Sequence, residues 1–287
     1  MESDNSNLKR LQIAERLKKA RELLGLNMFQ PINVYDACLK FEIDVRFRRI
    51  NMEGMYISSD NPDNSYIILS SLRPFSRRVF TCAHELGHHL YGHGSQIDLI
   101  YQENNESEAH NQEERLVDIF ASALLMPVAG IQLEFKKRKW DLNTATPIQF
   151  FTISSVFGVG YQTLISSCGL NKLISYQKSK ELLKYSPSHF LRKITSNENK
   201  GHLKIIDAKF KESIVDTEVS GFLYLPKDIE LEGNHLNVIS ETENGFCYQA
   251  IKPGVLRAIN PNDGQTYFIR IQNFEYEGLS EYRHLEN

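Results

Sequence analysis

The segment Thr81-Cys82-Ala83-His84-Glu85-Leu86-Gly87-His88-His89 constrains this chain more than any other. Histidines four residues apart lie one above the other on the same face of an α-helix, so His84 and His88 can reach a single cation. Glu85 sits beside them, placed to take a proton from an activated water. With 9 His and 24 Glu in 287 residues, chance gives (9/287)² × (24/287) × 283, or about 0.02, occurrences of this HExxH pattern. A helix from Ser76 to about Tyr91 is therefore expected to carry two metal ligands and a general base. Two surface histidines beside an unrelated glutamate would need no third ligand, whereas a metal site does.

Catalytic zinc takes three protein ligands and keeps one position open. One known arrangement would put Gly at position 91 and His at position 94, but the chain has Tyr91 and Gly94, which excludes it. The other takes a Glu from a following helix and an Asp one turn later to orient a ligand histidine. A helix expected from about Gln112 to Met126 contains Glu114-Arg115-Leu116-Val117-Asp118, with Glu114 and Asp118 four apart on one face and Pro127 as its stop. Glu114 is the preferred ligand. Glu113 is the alternative, although its i+4 neighbour is Val117 rather than an acid. Tyr91 and His93 are candidates for stabilising an oxyanion. Plainer roles for them are helix-end packing by Tyr91 and an exposed loop position for His93, with His89 on an exposed helix face.

The run from Phe80 to His88, with Glu114 to Ala121 and Leu124-Leu125-Met126-Pro127, closely resembles the ImmA/IrrE family of zinc metallo-endopeptidases over roughly Pro31 to Tyr185. That resemblance implies a gluzincin-like protease core and one Zn²⁺ per chain. It also implies a protein substrate, a helix-turn-helix transcriptional repressor whose cleavage switches on a stress, prophage or mobile-element regulon.

Elsewhere the patterning predicts an α+β protein. An N-terminal helix occupies 1–27, with Leu8, Leu11, Ile13, Leu17, Ala20 and Leu24 at helical spacing. The protease core spans 28–140, and its runs Val45–Ile50, Met55–Ser58 and Tyr66–Ser70 predict a small antiparallel sheet with Asn61-Pro62-Asp63-Asn64 as a turn. Tyr66–Leu69 is a candidate edge on which an extended substrate adds as a strand, or else a strand covering the active helix. Polar Gln102–Gln112 reads as an exposed loop. Residues 141–195 form a helical segment of helix-turn-helix dimensions, broken at Phe157-Gly158-Val159-Gly160, and Thr195–Gly201 is a linker. Short β-runs over 202–287 predict a small all-β domain.

Charge and composition narrow the partners. With 33 basic and 36 acidic residues the net charge is −3, which is not that of a general polyanion binder. No Lys or Arg lies between Asp141 and Asn171, so the presumed reading helix Tyr161–Ser167 lacks a phosphate anchor and DNA binding is not expected. Residues 172–204 carry a net charge of +6 and 205–287 a net charge of −7, read first as intramolecular docking. No signal peptide or membrane span is expected, and Cys38, Cys82, Cys168 and Cys247 are spaced as reduced core residues, which points to a cytoplasmic location. A rival expectation is a metal-containing transcription regulator, or an antitoxin-like binding module, without proteolytic activity.

Overall fold

The computed structural model describes residues 2–59, 65–94, 96–98 and 108–286. The chain divides into a first unit of residues 1–73, 77–131 and 277–280 and a second of 74–76, 132–276 and 281–287. Along the chain, the first unit contains α1 (Glu2–Leu23), α2 (Val34–Lys40), β1 (Asp44–Arg48), β2 (Gly54–Ile57), β3 (Tyr66–Ser70), α3 (Phe75–Tyr91), β4 (Gln96–Asp98) and α4 (Glu108–Leu125). The helix α5 (Val128–Lys137) follows Pro127.

Ile13, Leu17 and Ala20 recur every three or four residues and form the buried stripe of α1, which packs on α4, whereas Leu11 remains exposed. The buried Arg21 secures this pair: its guanidinium donates to the Leu124 carbonyl at 2.7 Å, to Asn27 O at 2.9 Å and to Gln30 O. It thereby satisfies a carbonyl in the last turn of α4 that has no partner within the helix.

The sheet corrects two expectations. It is mixed rather than antiparallel: β1 runs parallel to β3, while β2 is antiparallel to it. Its order is β13-β1-β3-β2-β4, where β13 is the short strand Gly278–Leu279, paired antiparallel to β1. Tyr66–Ser70 is therefore an inner strand, with both sides of its backbone already hydrogen-bonded, and cannot accept a substrate strand. Period-2 patterning marks which face of a strand is buried but says nothing about which neighbours it takes.

Helix α4 begins at Glu108, four residues earlier than Gln112, so the end of the expected Gln102–Gln112 loop is helical. Its polar first turn needs no burial, and the helix macrodipole favours acidic residues there. Residues 101–107, and the expected turn at Asn61–Asn64, lie outside the described residues. By length and composition Gln112–Lys137 could cross a membrane, with a mean hydropathy of 1.8, yet half of its most apolar window is buried inside the protein.

The second unit contains α6 (Pro147–Val156), α7 (Tyr161–Leu170), α8 (Tyr176–Leu182) and α9 (Pro187–Thr195). Thr146 caps α6 in a box with Gln149, and Pro147 occupies its first turn. At the Phe157–Gly160 break α6 and α7 are bent by 99°. Tyr161, Leu164, Ile165 and Cys168 of α7 are buried, so much of this helix is committed to packing.

Next come β5 (Leu203–Ile205), β6 (Ile214–Glu218), β7 (Phe222–Pro226), β8 (Glu230–Glu232), β9 (Leu236–Glu241), β10 (Gly245–Ala250), β11 (Gly254–Ile259) and β12 (Thr266–Gln272). They form two four-stranded sheets, β5-β7-β10-β9 and β6-β12-β11-β8. Leu223 and Leu225 from one sheet share a buried cluster with Val215, Leu256, Ile269 and Ile271 from the other. Beneath it Asp216 accepts from Arg270 at 2.5 and 2.9 Å and from Arg283 at 2.8 Å. Breaking so buried an ion pair from one side costs about 3–5 kcal/mol. All four cysteines are free and buried.

Candidate metal centre

Helix α3 sinks its polar motif into the first unit: His84, Glu85 and His88 are 7%, 0% and 1% exposed, alongside the fully buried Ala83 and Leu86. Burial of that many polar groups is costly unless they act together. Gly87 sets the approach of α4, since a Cβ there would lie 3.1 Å from Val117 Cβ. At that close crossing Glu114 reaches both histidines. Its carboxylate oxygens lie 3.0 Å from His84 Nε2 and 3.2 Å from His88 Nε2, and the two Nε2 atoms are 3.1 Å apart.

Three donor atoms thus converge, and among the described residues His84, His88 and Glu114 form a group able to hold a metal ion. Zinc bonds of ~2.0–2.1 Å in a tetrahedron separate ligand atoms by about 3.3 Å, close to the spacings observed. Glu113 is exposed and is not in the group.

The outer nitrogens are held as well. His84 Nδ1 lies 2.9 Å from Asp118 Oδ1, an arrangement in which Nδ1–H donates to the carboxylate and Nε2 turns its lone pair inward. Burial disfavours a charged His84, but the hydrogen bonds with Asp118 and Glu114 and the charge of Glu85 outweigh it and raise its pKa to about 10. Burial likewise pushes Glu114 up, and its bonds with His84 and His88 overcome that and hold it well below the usual carboxylate range. Positive charge is favoured where the three donors meet, as a cation site requires.

His93 and His89 are half-buried and engaged rather than exposed. Helix α3 ends in a Schellman stop, with Gly92 at φ +71°, Gly92 N–H donating to His89 O and His93 N–H donating to His88 O, both at 3.0 Å. This stop folds the chain back so that His93 Nδ1 lies 2.9 Å from His88 Nδ1, where it can orient that ligand as Asp118 orients His84. The only sequence signal for this contact was a glycine closing the helix one residue before a histidine. His89 Nδ1 meets the Tyr56 hydroxyl at 3.0 Å, a cross-element contact that local spacing did not reveal.

The Tyr91 ring stacks on His93, meets Phe120 edge-on and lies under Arg16 at 5.3 Å, so it packs the helix end as the plainer account expected. Its hydroxyl is buried without a hydrogen-bond partner among the described residues, and burial pushes its pKa up to about 12. A neutral phenol in that state is a donor with nothing to donate to.

No curated protein matches the chain. Residues 38–166 match the family model of the IrrE N-terminal-like domain, a peptidase family, over a stretch that contains the whole His84, His88 and Glu114 group. Over residues 38–166 the chain is thus similar to the peptidase domain of the ImmA/IrrE family.

Proposed function

We propose that the chain is a zinc-dependent, site-specific endopeptidase that cleaves a helix-turn-helix transcriptional repressor and so derepresses a stress, prophage or mobile-element regulon. The convergence of His84, His88 and Glu114 beside Glu85 carries this reading. Two imidazoles and one carboxylate are a donor set suited to Zn²⁺, and they leave room for water and substrate. When bound, such a metal supplies Lewis acidity toward a peptide carbonyl and a water.

The chain's own residues do the rest. Glu85 removes a proton from the attacking water and returns it to the leaving amine. Asp118 and His93 hold the ligand imidazoles in the tautomer that turns Nε2 inward. Tyr91, whose buried hydroxyl keeps its proton, is the candidate oxyanion donor.

An extended substrate needs a strand edge. In the sheet order β4 stands at one end, paired to β2 alone among the described residues, and this supports substrate addition at Gln96–Asp98 rather than at β3. Buried free cysteines support a reducing, cytoplasmic setting. The absence of basic residues from α7, with much of its surface buried, supports a packing role for the α6–α7 pair rather than DNA reading.

The test is to incubate the wild type and Glu85→Gln with any helix-turn-helix repressor found encoded beside it, with and without a chelator. One discrete fragment pair that requires both the metal and Glu85 is expected. Specific DNA binding without cleavage of any neighbour-encoded protein would instead establish a regulator.

A further inference from the structure

The second unit contains a cationic cleft that the peptidase reading does not use. Lys204, in β5, is 5% exposed, and its ammonium makes no hydrogen bond or ion pair among the described residues. Among the described residues its ammonium lies over the ring of Phe75, 5.3 Å from the centroid, which compensates only part of the cost of burying a charge. Asp216 acts on it electrostatically, but that carboxylate is already held by Arg270 and Arg283.

Lys204 lines a cleft together with Ser76, Ser154, Gly160, Tyr161 and His202, about 270 Å³ including its open mouth. Two further features of its wall suit an anion. Gly160 is the N-cap of the ten-residue α7 and has no side chain with which to cap the first-turn N–H groups. The Ser76 hydroxyl lies beside it, 3.4 Å from where a Gly160 Cβ would stand. A helix N-terminus offers partial positive charge and oriented donors, and a buried ammonium supplies the full charge such an end lacks.

We infer that this cleft binds a small phosphorylated compound, its phosphoryl oxygens shared between the Lys204 ammonium, the Ser76 hydroxyl and the N-terminus of α7. Donors from three separate elements line this one cleft, as recognition of a multidentate oxyanion requires. Burial holds the Lys204 pKa down at about 8, and a bound anion would raise it again.

The probe is inorganic phosphate, titrated into the full-length chain by calorimetry at constant ionic strength, with sodium chloride as control. Wild type is expected to bind phosphate saturably, and Lys204→Met at least tenfold more weakly while melting no lower, since it removes a buried charge and keeps the stem. Gly160→Ala, whose Cβ narrows the mouth without touching Lys204, is expected to weaken binding as well. Equal responses from wild type and Lys204→Met, or chloride matching phosphate, would overturn the inference. A Lys204→Met that does not fold shifts the decision to Gly160→Ala, and undiminished phosphate binding there would also overturn it.

Discussion

Asp118 Oδ1 lies 2.9 Å from His84 Nδ1, on the side of the imidazole opposite the nitrogen that meets Glu114. One ring is thus gripped from both ends by acids one helical turn apart on α4, which is why the i,i+4 spacing of Glu114 and Asp118 matters. Removing the outer acid should leave the ligand set intact but let the ring rotate. Asp118→Ala is expected to weaken zinc binding about 10–100-fold, read by competition with a chromophoric chelator. The same effect is expected from His93→Ala through His88, and unchanged affinity in both variants would show that neither orients a ligand.

Ligand and base should separate cleanly. Glu114→Ala should lose most bound zinc by elemental analysis, whereas Glu113→Ala, altering an exposed side chain, should retain it. Glu85→Gln should keep both metal and fold while proteolysis falls by several orders of magnitude. Normal cleavage by Glu85→Gln would remove Glu85 from the mechanism.

Gly87 tests the helix crossing directly. A methyl there meets Val117 Cβ at 3.1 Å, so the backbones of α3 and α4 must part by a few tenths of an ångström. Gly87→Ala is expected to lower stability by about 1–3 kcal/mol, as overpacking does, and to weaken metal binding together with it. Denaturant melts with and without zinc measure both effects, and a stable variant with full affinity would mean that the crossing tolerates the extra volume.

Glu212 in the second unit gives a pH signature. Burial, and then the charge of Glu134, push its carboxyl up to about 7, with Lys137 partly opposing. Because the folded pKa lies above the unfolded one, the contribution of Glu212 is most favourable below about pH 4.5 and is lost as the pH rises through about 7. Glu212→Gln should therefore match the wild type near pH 4 and be more stable at pH 8, by about 1–2 kcal/mol once its solvent contact is discounted. Parallel stability curves from pH 4 to 8 would show that the carboxyl is not perturbed.

The sequence by itself determined what depends on one helix. The phase of His84, Glu85 and His88 follows from 3.6 residues per turn, and the choice of Glu114 over Glu113 could be argued from its i+4 neighbour, because both statements concern residues that move as one rigid element. The apolar stripe of α1 and several strands of the second unit were legible for the same reason. Tertiary structure alone decided what lies between elements. Whether Glu114 actually reaches the histidines depends on the close crossing that Gly87 permits. That β3 is an inner strand, that β1 runs parallel to it, and that Gly278–Leu279 joins the same sheet were settled by pairings between segments distant in sequence. Strand patterning records burial on two faces, whereas pairing is made by backbone groups that every residue carries alike, so the sequence holds no local mark of which strands will be neighbours.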